Sequence, residues 1–164
     1  MQLAAGTGTQ VVVNMTLAGL TDADLWWPWQ MGKPARHNLT MGFTASGDSG
    51  AALEWLGATA SKGSVVFPVG LREVSNDIDE NNNARFIVNG KQILIRGGGW
   101  APDLLQRMSP KRHARALRIT KDLGLNAIRL EGKLQDDDLF EQCDELGIMV
   151  LPGICCCDAW QSWV

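Results

Sequence analysis

No apolar run in this chain approaches the length of a membrane span, so the sequence offers no spanning helix and a membrane partner is not expected. The first residues show no basic segment followed by an apolar one, and no secretory leader is read here. No basic cluster stands out and the net charge is −3, which gives no reason to expect a nucleic-acid partner. The four cysteines, Cys143 and the run Cys155–Cys157, have neither the spacing of a disulfide framework nor that of a zinc site. Alternate residues of an extended chain point to opposite sides, so the three consecutive thiols cannot converge on one ion, and they read as small, polarizable packing residues. Tyrosine is absent, against seven tryptophans. Tryptophan serves equally as a stacking surface and as a large core residue, so composition alone does not choose.

What is present changes character partway along. Residues 1 to about 10 are small and polar, as loose termini are. Gln10–Leu17, His37–Phe43 and Ser64–Val74 carry β-branched residues or period-two alternation and predict strands, the last of them paired or bent. Asp24–Gly32 holds three tryptophans around Pro28 and predicts a loop or sheet corner. Ser46–Gly50 predicts a turn, and the polar, acidic Asn76–Asn83 a linker or wide turn. Short strands at this spacing suggest a β-sandwich over 1–84.

From 85 onward strands alternate with helices. Arg85–Val88 and Lys91–Ile95 flank Asn89-Gly90, a pair that tolerates the positive φ of a tight hairpin. Ile93–Asp103 then runs from apolar residues into three glycines, a tryptophan, a proline and a carboxylate. Ser109 and Pro110 predict a helix start, and Gly124 the end of that helix. Its apolar stripe is expected at Ala116, Ile119 and Leu123, flanked by Leu117 and Thr120. Asn126–Glu131 predicts a strand, Asp136–Leu146 a helix with three aspartates where its dipole favours them, and Ile148–Pro152 a buried strand. Two short-looped crossovers make such strands parallel. Ligands of parallel α/β sheets bind at the strands' C-terminal ends, which here carry Gly97–Asp103, Glu131 and Cys155–Trp160.

A phosphate loop at the glycines is disfavoured. The G-x-G-x-x-G pattern is absent, Pro102 and a loop separate the glycines from the helix, and Glu131 lies well beyond the usual ~20 residues. The glycines read instead as places of close backbone approach. Strand alternation sets Arg129 and Glu131 on one face, where they are either an ion pair closing the core or a ligand-recognition pair. Asp158 and Trp160 are candidate ligand contacts, against the plainer roles of a helix cap and a surface aromatic. His37 and His113 read as surface residues. No metal and no cofactor is expected.

Phe86–Gly90, Ile95–Asp103, Gly124–Arg129 and Cys143–Ile148, taken in this order, resemble the opening of the catalytic barrel of glycoside hydrolase family 2. Leu25–Gly32 and Phe67–Glu73 resemble the immunoglobulin-like sandwich that precedes it. Within that family, Arg129–Lys133 and Cys156–Trp160 are most similar to exo-β-D-glucosaminidases, enzymes that shorten chitosan. The resemblance implies an immunoglobulin-like β-sandwich over 1–84 and, over 85–164, the first β-α-β-α-β part of a (β/α)8 barrel, truncated after the third strand. It implies a carbohydrate partner, an amino-sugar oligosaccharide, recognised by Glu131, Asp103, Trp100, Asp158 and Trp160. It also implies a retaining mechanism whose two catalytic glutamates follow the fourth and seventh barrel strands. None of the catalytic residues is then expected in this stretch, which should be inert without the remainder of its own chain. A secreted parent is the expected setting. β-Mannosidases, endo-β-mannosidases and non-catalytic sugar-binding modules are the alternatives.

Overall fold

A computed structural model of the chain describes residues 15–44, 62–105, 107–131 and 135–152. Among the described residues, eight strands and two helices follow in the order β1 (His37–Thr44), β2 (Lys62–Val69), β3 (Val74–Ile78), β4 (Ala84–Val88), β5 (Lys91–Ile93), β6 (Gly97–Trp100), α1 (Pro110–Asp122), β7 (Ala127–Leu130), α2 (Asp137–Leu146) and β8 (Met149–Leu151). They form an antiparallel β1–β2 ribbon, an antiparallel β3–β4–β5 sheet and a parallel β6–β7–β8 sheet. The architecture is mixed β and α/β, with an unclosed, barrel-like parallel layer. Among the described residues β8 pairs only with β7. Met15–Leu17 lie outside any strand, and the rest of the strand predicted there, like the 46–50 turn, falls outside the described residues.

Local chemistry accounts for most element ends. Asn89 and Gly90 adopt φ of 48° and 74°, closing the β4–β5 hairpin. Pro110 opens α1, and Gly124 at φ 73° follows its C-cap. Asp136 caps α2 by accepting from the Leu139 N–H, and Gly147 at φ 71° ends it.

Four expectations are corrected. Asn76–Ile78 is not linker but part of β3, because Asp77 sits opposite Arg85 and pairs with it through two hydrogen bonds of 2.7 and 2.6 Å. The turn is shorter, and the Asp79 carboxylate organises it by accepting from the Asn81 and Asn83 N–H groups. The buried stripe of α1 is His113, Leu117 and Thr120, while Ile119 and Leu123 are exposed. The polar members of that stripe are satisfied locally: Thr120 donates to the Ala116 carbonyl, and His113 faces Asp138. His113 is accordingly buried, not a surface residue. Finally, the apolar run of Ile93 does not continue into the parallel sheet. It ends the hairpin, and the three glycines themselves begin β6.

The core has two parts. Leu117, Ile128, Leu130, Leu139, Cys143 and Ile148 fill the layer between the parallel sheet and its helices. Trp27, Val88 and Ile93 form the second, with Met149 packed against them. The tryptophan loop joins the two. Trp26 Nε1 donates to Asp144 O, Trp27 Nε1 to Asp22 O and Trp29 Nε1 to Leu125 O, so the buried Trp26 and Trp27 and the half-buried Trp29 pack their rings without losing their hydrogen bonds. Gln30 donates to Gly124 O, and the Trp29 N–H to Gly147 O. A Cβ on Gly147 would lie 2.7 Å from Trp29 N, which makes that glycine necessary for the approach as well as for the helix end. These contacts gather at the N-terminal ends of β7 and β8. The loop therefore covers the lower end of the parallel sheet.

Candidate functional site

Register decides which side chains share a face at the upper end. Trp100 pairs with Leu130, and Ile128 with Val150. Residues paired across a sheet point the same way, and Leu130 and Ile128 pack under the helices. Trp100 accordingly packs into that helical layer, where its ring meets His113 edge-on at 6.2 Å. Arg129 belongs to the opposite face, and its partners are Gly99 and Leu151. Glu131, two residues on, rises from the same face.

Glu131 follows the last residue of β7, and its side chain is 41% exposed. Arg129 Nη1 donates to Glu131 Oε1 at 3.2 Å. The carboxylate leans over Gly99: a Cβ there would lie 2.5 Å from Oε1. Both partners of the ion pair are accessible, so the pair contributes little stability and can exchange for another charged partner.

Asp103 lies on the β6–α1 loop with only 9% of its side chain exposed. It accepts from Arg107 through two hydrogen bonds of 3.2 and 3.1 Å, from Arg112, and from the Leu105 N–H. The Arg107 and Arg112 guanidiniums, with that amide, hold its carboxyl well below the usual carboxylate range. It is the clamp of its loop. The structure thus leaves Glu131 and Arg129 together on one face, Trp100 on the other and Asp103 engaged in the loop. Asp158, Trp160 and the Cys155–Cys157 run lie outside the described residues.

One cluster escaped the sequence reading. His113 Nδ1 lies 3.0 Å from Asp138 Oδ2 and 3.6 Å from Asp136 Oδ1. These three ligand-type atoms fall within 4.8 Å of one another. Each has protein partners: Asp136 caps α2, and Asp138 also accepts from Gln142 at 2.7 Å. These contacts tie the first turns of α1 and α2 together beside Trp100. Its signal was the spacing of aspartates around a helix start, but nothing local showed that His113 would be buried against them.

A cleft of about 410 Å³ opens elsewhere, between α2–β8 and the β3–β5 sheet. Trp26, Phe86, Val88, Phe140 and Met149 line it, and its charged lining residues Arg72 and Asp144 pair with each other at 3.0 Å. It holds none of the candidate site residues. No helix among the described residues is long and apolar enough to cross a membrane.

No family model matches the chain. It is 37% identical over 152 residues to an exo-β-D-glucosaminidase of Amycolatopsis orientalis, a match covering 93% of this chain and 14% of that protein. It is 33% identical over 163 residues to an exo-β-D-glucosaminidase of Hypocrea jecorina, covering 99% of this chain and 17% of the relative. The complex of an A. orientalis exo-chitosanase variant with PNP-β-D-glucosamine superposes with a TM-score of 0.72 at 36% identity, over 88% of this chain and 16% of that one. The chain therefore spans about one sixth of the length of the relatives it matches.

Proposed function

We propose that this chain, homologous along nearly its whole length to the exo-β-D-glucosaminidases of glycoside hydrolase family 2, belongs to an enzyme that removes β-linked glucosamine units from chitosan or its oligomers. In this reading residues 1–84 form part of an immunoglobulin-like sandwich, and 85–164 the first units of a (β/α)8 barrel. The catalytic pair lies beyond this stretch. A retaining enzyme holds its two carboxyls about 5–5.5 Å apart across the scissile bond, a pair this reading assigns to the remainder of the enzyme.

The observation that carries the reading is Glu131. It stands at the C-terminal end of a parallel strand, where ligands of such sheets bind. It is accessible, and it points away from the helices beside Gly99 and Arg129. Glucosamine bears an ammonium at C2, and a carboxylate here can accept a charge-assisted hydrogen bond from it. A neutral sugar brings no cation to that carboxylate and gains less from the contact, so glucosamine is favoured over it.

Glu131→Gln in the intact enzyme tests this. Losing a hydrogen bond to a charged group costs about 1.5–3 kcal/mol, or roughly ten- to a hundredfold in kcat/KM on glucosamine oligomers. Neutral glycosides should be little affected. Equal loss on both substrate classes would instead identify Arg129–Glu131 as a structural ion pair.

A further inference from the structure

The three glycines of β6 have different surroundings. A Cβ on Gly97 would lie 2.6 Å from the Ala127 carbonyl oxygen, and one on Gly98 would meet nothing within 4 Å. On Gly99 it would lie 2.5 Å from Glu131 Oε1, 3.0 Å from Cδ and 3.2 Å from Cγ. A glycine inside a strand weakens it relative to alanine, so each calls for a reason. Strand pairing supplies one for Gly97, because the obstacle there is backbone. It supplies none for Gly99, whose nearest atoms all belong to the Glu131 side chain.

We infer that Gly99 is a positioning and specificity-determining residue: its missing side chain is the space in which the Glu131 carboxylate rests. The inference builds on the reading of Glu131 as the group that recognises the amino sugar. Oε1 is the oxygen in question on both sides. It accepts from Arg129 Nη1 at 3.2 Å and it faces Gly99. Any β-carbon at 99 displaces that oxygen from both neighbours at once. The displaced atom is the end of a flexible side chain, so the strand itself need not move. The effect should fall on recognition rather than on folding.

The test compares Gly98→Ala, Gly99→Ala, Glu131→Gln and the Gly99→Ala/Glu131→Gln double variant in the full-length enzyme. Each is assayed on a β-glucosaminide and on a neutral β-glycoside with the same leaving group, alongside a thermal melt. Gly98→Ala should match the parent. Gly99→Ala should raise KM for the glucosaminide about tenfold, the scale of one weakened charged hydrogen bond, with kcat and the neutral substrate little changed. The double variant should be no worse than Glu131→Gln alone. If Gly99→Ala lowers the melting temperature, a Gly99→Ala/Glu131→Ala variant should restore it, and one that stays destabilised overturns the inference. Parental selectivity in Gly99→Ala, with selectivity lost in Glu131→Gln, refutes the role of Gly99 and leaves that of Glu131 standing. Parental selectivity in Glu131→Gln refutes the reading beneath it.

Discussion

Replacing Asn126 tests whether the joint beneath the parallel sheet is held by hydrogen bonds or by packing alone. The side chain is fully buried. Its Oδ1 accepts from the Arg96 N–H at 2.8 Å, and its Nδ2 donates to Gln30 Oε1 at 2.8 Å and to Leu94 O at 2.9 Å. One amide therefore links the β5–β6 connection, the tryptophan loop and the start of β7. Alanine removes all three bonds, at about 1 kcal/mol each, for a total of about 3 kcal/mol. Water entering the vacated space would lower that toward about 2 kcal/mol. Leucine keeps the bulk and admits less water, so Asn126→Leu should cost at least as much. Hydrogen exchange read by mass spectrometry suits the question, because it reports local opening. A loss of 3 kcal/mol should speed exchange in the peptide containing the Arg96 amide by roughly a hundredfold. Peptides of the β1–β2 ribbon, which Asn126 does not touch, should be unchanged. If Asn126→Leu exchanges like the parent at Arg96, packing holds the joint and the hydrogen-bond argument is wrong.

Two further outcomes follow from the perturbed acids. Burial, with the charge of Asp144 adding to it, pushes the Cys143 thiol up to about 12. Iodoacetamide at pH 8 should therefore modify this residue only after denaturation, as read by mass spectrometry of its peptide; modification at the rate of an exposed thiol would refute its burial in the α2–sheet layer. Asp103 has a folded-state pKa below its unfolded one, so its contribution is complete above the ordinary carboxylate range and is lost as pH falls through and below it. Protection of the Leu105 amide, corrected for intrinsic exchange, should drop on acidification below about pH 4 in the parent. Asp103→Asn should show weak protection at every pH, and a parent that keeps full protection at pH 2 would contradict the clamp.

The order of elements after residue 85 was legible because single residues punctuate it. Asn89-Gly90, Pro110, Gly124, Asp136 and Gly147 each carry a conformational preference that acts within one turn of chain. The errors fell where distant partners decide. Gly97–Gly99 have no side chains to signal a strand, and they become one because β7 pairs with them. Asn76–Ile78 look like linker until Arg85 is set opposite Asp77. Ile119 and Leu123 outweigh His113 and Thr120 on any hydrophobic scale, yet the polar pair is buried because each finds a hydrogen bond there. The candidate site divides similarly. Alternation within β7 was enough to put Arg129 and Glu131 on one face. The separation of Trp100 from them needed the cross-strand register, which no single strand contains. Arg107 stands four residues after Asp103, a spacing that signals a local ion pair; Arg112 reaches the same carboxylate from the first turns of α1 and could not be foreseen that way.

The tryptophans and the glycines do opposite work at opposite ends of the parallel sheet. At the lower end, Trp26 and Trp29 anchor on carbonyls of α2 and the α1–β7 loop, and Gly147 lets the main chain of Trp29 come close. That end is occupied by the tryptophan loop, and a change there acts on stability. At the upper end, Gly99 makes room for a carboxylate instead of for a ring, and that carboxylate is exposed beside an exchangeable arginine. An abundance of tryptophan invites a reading of stacked sugars, but the indoles of the tryptophan loop have their polar ends committed to backbone, and Trp100 packs under the helices beside His113. In the proposed reading, charge at Glu131, framed by the empty space of Gly99, is therefore a better basis for selecting an amino sugar than any aromatic face among the described residues.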